Sequence, residues 1–86
     1  MDTKRIFKRL KNGKSIETFY RQSNDITYTI RIENKNNLFI LYFYYFEGND
    51  VNDDKNYKDE SMETFAEFDK LLNAIQLKFP GIEIEL

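Results

Sequence analysis

Nine consecutive residues, Leu38-Phe39-Ile40-Leu41-Tyr42-Phe43-Tyr44-Tyr45-Phe46, are all apolar or aromatic. A β-strand sends alternate side chains to opposite faces, so a strand here is hydrophobic on both. Two arrangements tolerate that. Either two layers of the same protein cover the strand, or one layer does and the second face is left for a partner. The run is about half as long as a membrane-spanning helix requires.

The neighbouring segments supply a sheet for it. Ile26-Thr27-Tyr28-Thr29-Ile30-Arg31-Ile32-Glu33 alternates, with Ile26, Tyr28, Ile30 and Ile32 on one face, which is the pattern of a half-buried strand. Asn34-Lys35-Asn36-Asn37 is a turn signal between the two strands. A turn centred between Lys35 and Asn36 pairs Ile32 with Phe39, Ile30 with Leu41 and Tyr28 with Phe43. Paired residues share a face, which puts Phe39, Leu41, Phe43 and Tyr45 inside. Leu38, Ile40, Tyr42, Tyr44 and Phe46 then lie outside, beside Thr27, Thr29 and Arg31. Ser15–Gln22 reads as a further strand, and a three-residue turn at Ser23-Asn24-Asp25 adds Ile16, Thr18 and Tyr20 to the inner face.

Helices are expected on either side of this meander. Thr3 is placed to cap a short basic helix, 3–12, that carries a narrow stripe of Ile6, Phe7 and Leu10, with Gly13 at its end. Thr64 and Glu67 have capping-box spacing. Phe65, Phe68, Leu72, Ile75 and Phe79, widened by Leu71, form the apolar stripe of a helix over 64–79, and Pro80-Gly81 stops it. Residues 47–60 are nearly all polar and read as an acidic loop. Ile82-Glu83-Ile84-Glu85-Leu86 alternates and reads as an edge strand, 82–86. The expectation is a single α+β domain, 1–86, in the order α-β-β-β-α-β. Its antiparallel meander, 15–46, carries the long C-terminal helix on one face, and the first helix lies at an edge or on the outer face.

Composition narrows the chemistry. The 86-residue chain has neither Cys nor His, which removes thiolate nucleophiles, disulfides and the usual near-neutral base, and no carboxylate pair marks itself out. No catalytic residue, cofactor or metal site is expected. Asp50, Asn52, Asp54 and Asn56 alternate as calcium ligands can, but an EF-hand loop starting at Asp50 would need Gly and Glu where Lys55 and Ser61 stand. The N-terminal residues are rich in Lys and Arg with no apolar core after them, so a secretory leader is not expected and the protein reads as cytoplasmic.

Charge is polarised although the net is only −2. Residues 1–14 hold Lys4, Arg5, Lys8, Arg9, Lys11 and Lys14 against Asp2, a net of +5. Residues 47–69 hold nine acids against Lys55 and Lys58, a net of −7. Such polarity steers charged partners.

The leading expectation is a non-enzymatic module that binds another protein, with a homodimer through the outer sheet face as a variant. Its contacts would be Tyr42 and Tyr44, which offer large area at low entropic cost, and Asp50, Asp53, Asp54, Asp59 and Glu60, which would steer association. Small acidic domains without cysteine are common among phage-encoded inhibitors, immunity proteins and accessory factors. The alternative is a lipid- or nucleic-acid-binding module that uses Lys4, Arg5, Lys8, Arg9 and Lys11. Phe65-Ala66-Glu67-Phe68, Leu71, Ile75 and Phe79-Pro80 also resemble the helix that follows the three-stranded sheet of PX phosphoinositide-binding domains. The resemblance spans residues 63–80, implies headgroup binding, and departs from the family in having Thr64 where a basic residue is expected.

Overall fold

The structure, a computed structural model, describes residues 2–24, 26–47 and 57–84. The elements are α1 (Thr3–Lys11), β1 (Ile16–Arg21), β2 (Ile26–Lys35), β3 (Leu38–Glu47), β4 (Tyr57–Phe65) and α2 (Phe68–Lys78). The four strands form one antiparallel sheet in the order β1-β2-β3-β4. The α+β class and the packing of the C-terminal helix on one face of an antiparallel sheet are as expected.

The fourth strand is not where the sequence suggested. It precedes α2 instead of following it, and occupies 57–65, where the end of the acidic loop and the start of the helix were expected. Pairing explains the difference. An aromatic strand such as β3 left at the sheet edge would present unpaired backbone to any passing chain. With β2 on one side and β4 on the other, its backbone is paired along both edges. Thr64 and Phe65 therefore belong to the ladder, so no capping box forms, and Glu67 caps α2 without a side-chain hydrogen bond. Residues 82–84 form no strand, although Ile82 and Ile84 are buried. They pack into the core without a ladder, and 85–86 lie outside the described residues.

The β2–β3 turn also differs by one step. Asn36 and Asn37 both have positive φ, 55° and 66°, as the central pair of a two-residue type I′ turn requires. The turn thus centres between Asn36 and Asn37. Ile32 pairs with Leu41, Ile30 with Phe43 and Tyr28 with Tyr45. A shift of two residues leaves every described side chain of β2 and β3 on its expected face. On the other side, Ile16 pairs with Ile32, Thr18 with Ile30 and Tyr20 with Tyr28, as the alternation predicts.

Both helices settle on this inner face. In α1, Ile6 and Leu10 are fully buried with Ile30, Ile32 and Leu41, while Phe7 packs on Phe39 and Phe68. Asp2, not Thr3, is its N-cap, accepting from the Arg5 backbone N–H at 3.1 Å. The helix closes in a Schellman motif. The Gly13 N–H donates to the Leu10 carbonyl, and the Lys14 N–H donates to that of Arg9. Gly13, at φ +80°, takes the left-handed position that an L side chain disfavours. In α2, Leu71 and Ile75 are buried, and Phe79 just beyond it stacks against Tyr20, Tyr28 and Phe43 with ring centroids 5.2–5.3 Å apart. The Tyr20 hydroxyl donates to the Pro80 carbonyl at 2.9 Å, tying β1 to the end of this helix. Among the described residues, one core-side polar side-chain group is unmet. Asn34, opposite Phe39, has its Nδ2 buried without an acceptor.

Candidate functional site

With both helices on the inner side, neither covers the outer face of the sheet. The expectation that α1 lies at an edge or on the outer face is corrected. Its Ile6–Leu10 stripe is complementary to the same apolar layer that receives α2. The outer face therefore carries the exposed and half-exposed members of β3. Leu38 is exposed, Ile40, Tyr42 and Tyr44 are half-buried, and the two tyrosine rings lie 5.6 Å apart.

Flanking strands extend the surface. Register sets Glu17, Arg31, Tyr42 and Met62 in one row across all four strands. Phe19, Thr29 and Tyr44 form the next row, and Glu33, Ile40 and Thr64 another. Phe19 is 62% exposed and Met62 67% exposed, large values for residues of their size. Arg31 and Glu33 pair at 2.8 Å along β2 and leave no net charge at that point. Beside them Ile40, Tyr42 and Met62 line a shallow depression with Lys35. From strand spacing and rise, the face measures roughly 15 by 30 Å, on the order of several hundred Å². Glu17, Thr29, Arg31 and Glu33 share that area with its apolar members, and an exposed apolar patch on a single domain is often functional.

The sheet edges are less inviting than its face. β1 carries Glu17 and Arg21, and β4 carries Glu60 and Glu63, with an irregularity opposite Phe43–Tyr45. Charges and bulges of this kind discourage strand addition. Glu63 sits at an inner-face register position, where Lys78 of α2 meets it at 3.1 Å.

The expected site residues separate into three groups. Tyr42 and Tyr44 are brought together on the outer face. Glu60 is exposed on β4, Asp59 lies in that strand, and Asp50, Asp53 and Asp54 lie outside the described residues. Lys4, Arg5, Lys8 and Lys11 are exposed on α1, with Arg9 half-buried. Phe19 and Met62 were not singled out from the sequence. The signal for Phe19 was available, because its parity in β1 opposes that of Ile16, Thr18 and Tyr20. Met62 could not be placed without recognising β4.

No protein-family model, no curated protein and no solved structure matches this chain. The stretch that resembles the PX helix is divided between the last residues of β4, a bend and α2, so its spacing is not that of one helix. Among the described residues, no helix is long and apolar enough to cross a membrane.

Proposed function

We propose that this protein is a non-enzymatic protein-binding module of the cytoplasm and that the outer face of its sheet is the contact surface. One observation carries the reading. Phe19, Leu38 and Met62 remain exposed around half-buried Ile40, Tyr42 and Tyr44 because both helices pack on the opposite side. A folded domain gains nothing in stability from large apolar side chains left in water, whereas a partner that covers them gains the area they present. Tyr42 and Tyr44 would anchor the complex at its centre. Glu60, exposed on β4, and the acids at 50, 53, 54 and 59 in the same stretch of sequence would draw a basic partner, chiefly by raising the association rate. Inhibitor, immunity or accessory roles all fit such a surface.

The test is capture from a lysate of the source cells by wild type and by Phe19→Thr/Met62→Thr, with the retained protein identified and its affinity then measured in purified form. The reading expects a specific protein held by the wild type and at least about tenfold weaker binding by the variant, the scale of losing one or two interface anchors. Equal affinity for both would remove the outer face from consideration.

A further inference from the structure

The cations of α1 are poorly explained by the helix they stand on. Lys4 and Lys8, like Arg5 and Arg9, are like charges at i,i+4. Arg5–Lys8 and Lys8–Lys11 add like charges at i,i+3. Each such contact works against the helix by a few tenths of a kcal/mol. Lys8, Arg9 and Lys11 recover some of this from the helix dipole at the C-terminal end, but Lys4 and Arg5 sit in the first turn, where the dipole disfavours cations and Asp2 at the N-cap is the one acid beside them. Among the described residues, none of these side chains is ion-paired. Lys11 has a neighbour of another kind, its Nζ lying 5.7 Å from the ring centres of both Phe7 and Phe39.

The surface beside them is concave. One depression is lined by Arg5, Lys8, Arg9, Asn12 and Lys14. A second, which shares Lys14, continues past Ser15 to Arg31, Glu33, Asn34 and Lys35, where the Glu33 carboxylate is paired with Arg31 and leaves Lys14 and Lys35 as the net charge. Together they make a shallow cationic groove with no aromatic lining, held rigidly because Ile6 and Leu10 fix the helix in the core.

We propose that this groove binds the phosphodiester backbone of a nucleic acid, with Arg5, Lys8, Arg9 and Lys14 as the phosphate contacts and no reading of base sequence. Cations without stacking partners or base-reading elements give sequence-independent, salt-sensitive binding. A bilayer surface is the poorer fit. It is flat where the groove is concave, and most of the apolar stripe of α1 is spent inside the protein: Ile6 and Leu10 are buried, and Phe7, 39% exposed, packs against Phe39 and Phe68. An interfacial helix needs that stripe free to enter the lipid. The phosphate contacts Arg5, Lys8, Arg9 and Lys14 are not among the residues of the sheet-face depression, but the far end of the groove shares Arg31, Glu33 and Lys35 with it.

The experiment measures fluorescence anisotropy of a labelled duplex DNA of random sequence across a salt series. Binding should weaken with a log–log slope between about −2 and −4, as neutralising a few phosphates requires. Arg5→Glu/Lys8→Glu should weaken binding at low salt by at least about tenfold and flatten the slope by about two. Arg5→Lys/Arg9→Lys should retain both affinity and slope. The single variant Arg5→Glu supplies a readout that a merely structural role would not give. It puts an acid in the first turn, one helical turn ahead of Arg9, so its Tm should equal or exceed that of the wild type while its DNA binding falls. Absence of duplex binding at low salt overturns the proposal. So does binding that charge reversal leaves unchanged, or binding confined to vesicles containing phosphatidylserine.

Discussion

The two faces of β3 are built from nearly the same amino acids and meet opposite fates. Phe39, Leu41 and Phe43 are 3%, 0% and 5% exposed, whereas their alternates Ile40, Tyr42 and Tyr44 stay half-buried and Leu38 is exposed. Hydrophobicity along the strand does not separate them. The separation comes from the layer above: both amphipathic helices choose one side, and the second side keeps its side chains without becoming core. Stability and recognition can then be carried by adjacent residues of one strand, with the pleat deciding which does which.

Substitutions on the two faces should break or sharpen that contrast. Leu41→Ala on the inner face should cost about 3 kcal/mol in urea unfolding, within the usual span for a fully buried leucine and a large part of the stability of so small a domain. Asn34→Val should act in the other direction. It removes a buried nitrogen with no acceptor and places a β-branched residue in a strand, so stability should rise by about 1 kcal/mol. Tyr20→Phe deletes the hydroxyl bond to the Pro80 carbonyl but keeps the ring against Phe79. A loss of about 0.5–1 kcal/mol is expected in the same measurement. Phe19→Thr/Met62→Thr on the outer face should move stability by less than about 0.5 kcal/mol, as surface changes usually do. An outer-face cost as large as that of Leu41→Ala would erase the distinction between the faces.

The sheet was legible to different depths. The alternation of 26–33 and the double-sided run over 38–45 placed the inner and outer residues correctly, and parity protected that assignment when the turn moved by one position. The polarity of 57–65 hid the remaining strand. Ser61 and Glu63 occupy inner-face positions that an apolar alternation would have filled, and Lys78 reaches Glu63 from α2, a long-range pairing that no local pattern announces. Thr64 and Glu67 matched a cap by spacing alone, but the ladder claims Thr64 and delays the helix until Phe68. The nonapeptide itself contained the missing clue, since a strand this hydrophobic needs pairing on both edges. For the site, Tyr42 and Tyr44 followed from register. The side on which α1 would dock did not, because Ile6, Phe7 and Leu10 suit either face and only competition for the inner layer decides.

The central claim is that the outer face is made for contact and contributes little to the fold. The most direct measurement is denaturant unfolding of Phe19→Thr/Met62→Thr alongside wild type, with capture of the partner by the same two samples. The account predicts superimposable unfolding curves and a partner lost from the variant. A variant that unfolds substantially earlier, or one that keeps the partner as tightly as wild type, would contradict it.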